Sequence, residues 1–343
     1  MKKLFSVILS LVVLASLGLF SRNTLETAAE EADPAKLIQE YLEKVVNAEY
    51  EDVYNESFSV QMHLNDLDSY EKALFGVYHD AEAIQYKLYA EDATSKLFHL
   101  YKDTVRICDL KMQKQGDGSW ALATVFKDQK DYILEVPAGM KVSVNGSEMN
   151  DQYLLEANVP ASNFLGLTNT ASAPKVNRYK LNSMIDIPRV TSEGKECGLM
   201  EDVTSNTIYV GTDATTDKDL ANTIIQYAVT CAKFPAQEAG VGAVASVSVT
   251  DSQWYKRVSG VQNNWFTSHG TSKFSNESVL KIVKQSDTAA IANVVFDYYA
   301  SNGSVDRTWN CGYQMTLLNT GGVWKIAGMG IDSSLNPNAK KIK

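Results

Sequence analysis

Two stretches of this chain, 204 positions apart, lie over one another without a gap. KMQKQGDGSWALATVFKD (111–128) matches residues 315–332, so that Gly118, Trp120, Ala123 and Asp128 meet Gly322, Trp324, Ala327 and Asp332. A glycine turn followed by tryptophan is common, so the hairpin alone constrains little. What precedes each copy constrains more, because the same series of elements leads into both hairpins. Self-similarity at a fixed offset is the mark of a duplicated unit.

In the first copy a helix starts at Pro34, with Asp33 as its cap and proline at the first helical position. Leu37, Ile38, Tyr41, Leu42, Val45 and Val46 form its apolar stripe at helical spacing. A second helix opens at Asp68, where D-S-Y-E reads as a capping box closed by Glu71. Tyr70, Leu74, Val77 and Tyr78 supply its buried face. Four strands follow at 84–90, 96–101, 104–113 and 119–127, the last two joined through Gln115-Gly116-Asp117-Gly118.

The rear copy repeats the plan. A helix over 218–234 buries Leu220, Ile224, Tyr227, Ala228 and Cys231, and a second begins at Asp251-Ser252 with Trp254, Val258, Val261 and Trp265 on one face. Strands follow at 278–285, 289–300, 308–319 and 323–331. Between the copies, 131–213 has no long helical pattern. Alternating Tyr132, Leu134 and Val136, a Pro137-Ala138-Gly139 turn, an Asn145-Gly146 turn and later strands at 179–188 and 207–212 predict a small β-rich, sandwich-like domain.

The fold class predicted is therefore α+β: two rolls, each of helices plus a curved antiparallel sheet, at 34–129 and 216–335, flanking the β-rich domain at 131–213. Residues 23–33 read as an acidic linker and 336–343 as an exposed, basic tail without fixed order.

The first 22 residues decide the compartment. Leu4–Phe20 is a run of 17 residues without a charge, preceded by Lys2 and Lys3. As a helix it reaches roughly 25 Å, slightly short of a bilayer core, and thinning or snorkelling closes the gap. An uncleaved transmembrane anchor is the favoured reading, and a cleaved signal peptide the alternative. Lysines on the short side hold that end in the cytoplasm and place the bulk of the chain extracytoplasmically, at the cell membrane or secreted. The formal charge of −9 gives no basic footprint for nucleic acid.

Four cysteines, Cys108, Cys197, Cys231 and Cys311, are too few for a disulfide scaffold and show no C-x-x-C. Cys231 and Cys311 fall in one module, and an exported chain permits a bridge between them; buried free thiols are the other possibility.

Two helices, a meander and a terminal G-x-W strand resemble the nuclear transport factor 2-like, or cystatin-like roll, domains. VPAGMKVSVNG (136–146) resembles the entry into the β domain of Gram-positive membrane-anchored envelope proteins, the teicoplanin-resistance-associated membrane protein family and the non-catalytic front part of low-affinity penicillin-binding proteins. The resemblance implies an envelope-facing accessory, sensor or binding protein rather than an enzyme.

Residues of catalytic type are sparse in pattern. His63, His79, His99 and His269 show no metal-ligand spacing, so neither metal nor cofactor is expected; His63 with Asp66 and Asp68 reads as a solvated loop. S-x-x-K occurs at Ser192–Lys195 and Ser278–Lys281 without the companion elements of a penicillin-binding enzyme. Roll folds hold pockets lined by tyrosine and aspartate, and Tyr86, His99, Tyr101, Asp297 and Tyr299 are the ligand-binding candidates, Tyr89 and Tyr298 being of the same type. In FDYY (296–299) alternation puts Phe296 and Tyr298 on one face and Asp297 and Tyr299 on the other. His99 would serve as acid or base only if it points between helices and sheet. Asp297 would do so only if apolar burial raised its pKa.

The function expected is a non-enzymatic, membrane-anchored envelope protein that binds a cell-wall component or a partner protein. A roll-pocket isomerase or dehydratase, and a plain spacer, are the alternatives.

Overall fold

The computed structural model describes residues 34–57, 64–79, 84–202, 204–261 and 268–339. The apolar run Leu4–Phe20, His63 and Trp265 lie outside the described residues. Among the described residues no helix is long and apolar enough to cross a membrane. The described residues divide into two compact units, not three: one takes those up to Lys130 plus Asn182–Pro188, the other Asp131–Leu181 and those from Arg189 onward.

The first unit packs α1 (Pro34–Val46), α2 (Tyr50–Glu56) and α3 (Leu67–Tyr78) with a meander of β1 (Ile84–Glu91), β2 (Ser95–Lys102), β3 (Val105–Lys114) and β4 (Trp120–Val125), ordered β1-β2-β3-β4. Ile38, Tyr41 and Val45 of α1 and Tyr70, Leu74 and Tyr78 of α3 are buried as their spacing predicts. Val46, expected in the stripe, is 46% exposed at the helix end. They meet Phe98, Leu100, Leu110 and Met112 from the sheet. A buried phenol needs a partner, and Tyr41 and Tyr78 share one, the Thr124 Oγ1, at 2.5 and 3.0 Å. The cap of α3 is Asp66, whose Oδ1 accepts from Ser69 N at 2.7 Å, two residues before the predicted Asp68. Asn65 fastens the 182–188 stretch: its Oδ1 accepts from Ile185 N and its Nδ2 donates to Ser183 O.

The second unit begins with β5 (Lys130–Pro137), β6 (Ser143–Val144), β7 (Ser147–Glu148), β8 (Leu154–Pro160), β9 (Lys175–Met184), β10 (Val190–Ser192), β11 (Lys195–Glu196), β12 (Gly198–Asp202) and β13 (Thr207–Asp213). The Asn145-Gly146 turn forms as predicted, both residues at positive φ, between β6 and β7. Helices α4 (Lys218–Lys233), α5 (Val241–Val247) and α6 (Gln253–Ser259) follow, then β14 (Thr271–Ser286), β15 (Ala289–Ser301), β16 (Asp306–Thr320) and β17 (Val323–Ile331).

The β-rich segment is not a free-standing sandwich. β13 pairs in parallel with β5 and antiparallel with β14, so one nine-stranded sheet runs β17-β16-β15-β14-β13-β5-β9-β8, with β12 on β13. Its cement is a buried ion pair: Glu135, fully buried, accepts from Arg178 Nε at 2.7 Å and from Ser162 N. The helix-facing side of β14–β17 holds Phe296, Tyr298, Tyr313, Met315 and Leu317 against Leu220, Ile224, Ala228 and Trp254. On the opposite side Met200 and Tyr209 cover Val283 and Ile291.

The two G-x-W hairpins correspond, with one slip. Gly118 and Gly322 both stand at φ +87°. The first turn closes through Gln115 N to Ser119 O and leaves Trp120 opposite Lys114, whereas the second is the two-residue Gly321-Gly322 turn and sets Trp324 opposite Asn319. The alignment therefore holds beyond the turn and shifts by one residue before it. Both tryptophans are half-buried against the cluster of their own unit.

The predicted loose tail is ordered through its first residues. Asp332 N donates to Gly312 O at 2.8 Å, a short 3-10 turn spans Ser333–Leu335, and Asn336 is only 3% exposed. A side chain at Gly312 would overlap the Asp332 carbonyl at 2.1 Å, so the close crossing requires glycine there.

Candidate functional site

His99 faces away from the helices. On β2 the alternation buries Phe98 and Leu100 and turns His99 to the other side. There its Nδ1 lies 2.9 Å from Asp109 Oδ1, Arg106 forks the same carboxylate, and Tyr89 stacks on the imidazole at 4.2 Å. Tyr101 meets that ring edge-on, while Tyr86 packs on the core face against Phe98. The three first-unit candidates thus divide between the two faces of the sheet.

Asp297 is 7% exposed, but its surroundings are amide rather than apolar. Oδ1 accepts from Asn310 and Asn336 at 2.8 and 3.1 Å, and Oδ2 from Asn276 and Asn338 at 2.7 and 2.9 Å. A carboxylate offers about four lone-pair sites, so this one is saturated. Burial opposes its ionisation, yet the four donors outweigh burial and hold the carboxyl below its ordinary value. That is the reverse of the shift a general acid requires. Tyr299, on the same face, donates to Asp306 Oδ1 at 3.0 Å.

The opposite face of β15 carries the cluster with chemical potential. Pairing aligns Phe274, Tyr298 and Trp309 across β14, β15 and β16. Their rings form a row, with centroids 4.8 Å apart for Phe274 and Tyr298 and 5.6 Å for Tyr298 and Trp309. Tyr298 OH donates to Glu238 Oε1 at 2.5 Å, and His269 Nε2 lies 3.0 Å from the same oxygen. Burial, the hydrogen bond to Glu238 and its charge push the Tyr298 phenol well up, so it stays a donor. Burial works against the Glu238 carboxylate, but hydrogen bonds from Tyr298, Ser272 and His269 prevail and keep it below its ordinary value. Lys233 stands 5.8 Å over the Phe274 ring and Arg307 5.7 Å over Trp309.

Sequence reasoning placed Tyr298 on the correct face but missed Glu238 and His269. They lie 31 residues apart, on segments flanking the periodic elements, and no spacing links them. The bridge between Cys231 and Cys311 is not formed, and both are free thiols. Burial pushes them up to about 12 and about 11, so little of either is thiolate, the form that disulfide exchange needs. Two shallow depressions lie elsewhere: about 480 Å3 beside Ala171–Pro174 and Leu318–Gly321, and about 300 Å3 between α1, α2 and β4. Among the described residues no group of three or more His, Cys, Asp or Glu side chains is arranged to hold a metal.

No family model matches the chain, and no curated protein matches it. Among solved structures it is similar to an "Ntf2 like protein involved in plasmid conjugation", at 10% identity and a TM-score of 0.25, over 73% of this chain and 76% of the other. A likeness that slight assigns neither family nor role; the α+β architecture stands on the elements and pairings above.

Proposed function

We propose that the chain is a membrane-anchored, exported protein of the cell envelope that binds a wall component or a partner protein without turning it over. The observation that carries this reading is the engagement of its acids and bases. All four lone-pair sites of Asp297 are taken, and His99 is locked between Asp109 and Tyr89. The interior of the second roll is filled by Phe296, Tyr313 and Met315. The apolar run Leu4–Phe20 and the resemblance of segment 136–146 to envelope proteins are what support the proposed location.

Photo-crosslinking of the full-length protein in intact cells, followed by fractionation, tests it. Recovery with the membrane and capture of a wall fragment or an envelope protein support the reading. Recovery in the cytosol, or capture of neither, ends it.

A roll enzyme of isomerase or dehydratase type draws on one observation, the meeting of a carboxylate, an imidazole and a phenol at Glu238, His269 and Tyr298. Turnover of a small carbonyl or hydroxy substrate, abolished by His269→Ala, would favour it over binding.

A further inference from the structure

The tripeptide Asn-Gly-Ser occurs twice, at 145–147 and 302–304, each time at the connection between two paired strands. Gly146 and Gly303 stand at φ +86° and +85°, so backbone conformation at the glycine does not tell the two apart. Asparagine before glycine is open to a reaction with its own backbone. The glycine nitrogen lies next to the side-chain carbonyl carbon, and glycine has no Cβ to obstruct the ring that closes.

The surroundings of the two asparagines differ. Asn302 Oδ1 accepts from Ser304 N at 3.0 Å and Val305 N at 2.9 Å. Gly303 N donates to Ser301 Oγ at 3.1 Å, and the Ser301 hydroxyl donates in turn to Asp306, the largest influence holding that carboxyl below its ordinary value. Residues 302–305 are exposed, so water reaches them. Asn145 is half-buried and pinned across to Arg189: its Oδ1 accepts from Arg189 N, and its own N donates to Arg189 O, both at 2.8 Å.

We infer that the β15–β16 turn is a self-modifying site, at which Asn302 converts to aspartate and isoaspartate in the folded protein while Asn145 is protected. Gly303 N bonds to the Asn302 side-chain carbon, and negative charge builds on Oδ1 under the Ser304 and Val305 amides. The Gly303 proton passes by way of Ser301 Oγ to the side-chain nitrogen, which leaves as ammonia. Water then opens the cyclic imide on either side, and each conversion adds one negative charge. Asp306 acts only through Ser301, as a positioning residue that turns the hydroxyl's lone pairs toward Gly303.

The full chain, incubated folded and in urea at mildly alkaline pH and mapped by peptide mass spectrometry, tests this. In the folded chain the acid product is expected at Asn302 at least about tenfold faster than at Asn145, a fraction of what an oxyanion donor contributes in a closed site. In urea the two rates should meet, because identical tripeptides then have no fixed surroundings. Ser301→Ala should slow Asn302 several-fold at an unchanged thermal midpoint. Equal rates in the folded chain, faster conversion at Asn145, or a split that persists in urea overturns the inference. A Ser301→Ala variant that converts like wild type overturns the relay. The split and its loss in urea are read on wild type, so they decide even where the variant is unstable.

Discussion

Asn336 Nδ2 donates to Asp297 Oδ1 at 3.1 Å across 39 residues of sequence, and the same amide reaches the Phe296 and Cys311 carbonyls. One side chain beyond the last strand thus fastens the segment that follows β17 to β15 and β16. Replacing Asp297 by alanine strands four amide donors and is expected to cost about 2–3 kcal/mol. A lower urea midpoint at unchanged slope is the readout.

The same carboxyl gives an acid dependence. Its folded pKa lies below the ordinary value, whereas the unfolded chain titrates near ~3.9. Its stabilisation is therefore full above that pH and is lost as pH falls through the lower folded value. As pH falls below about 4 wild type should lose stability more steeply than Asp297→Asn, the two curves drawing together once the carboxyl is protonated in the folded chain. Parallel curves would show that Asp297 is not responsible.

Gly118 and Gly322 share φ +87° with open space around each missing side chain, so only backbone strain opposes alanine there. Gly118→Ala and Gly322→Ala should each cost about 1 kcal/mol, and Gly76→Ala inside α3, where φ is helical, should gain about 0.5–1 kcal/mol. Thermal midpoints of the three variants decide it.

Arg178→Met leaves the buried Glu135 carboxylate without its cation, and a loss of about 3–5 kcal/mol is expected. Adding Glu135→Leu to that variant should recover much of the loss, because the uncompensated charge is what is costly. A double-mutant cycle by denaturant unfolding measures the coupling.

For the cysteines, the unfolding midpoint should be the same with and without reductant, and Cys231 should react with a thiol reagent only after unfolding. A shift of the midpoint on reduction would restore the bridge.

Much of the scaffold was legible because it is periodic. The apolar spacing located α1 and α4 within a residue or two, and alternation assigned the faces of β15. α2 escaped because YEDVYNE buries only Val53, and α5 because VGAVASV has no polar face to set a helical period. β14 begins at Thr271 rather than 278, since TSKFSNES has no apolar alternation and bulges near Asn276, at φ 56°. That hidden half-strand carries Phe274, and so much of the candidate site was invisible. The clamp on Asp297 was unreadable for another reason: asparagine donors scattered over four positions follow no period, and only the folded chain brings them together.

The seam where β13 joins β14 has a practical corollary for anyone dissecting this protein. Scissors placed between 213 and 216, at the border a reader of the primary structure would choose, would tear a hydrogen-bonded ladder and leave two raw edges prone to clumping. A clean fragment has to carry the central strands together with the rear helices, as one piece of cloth.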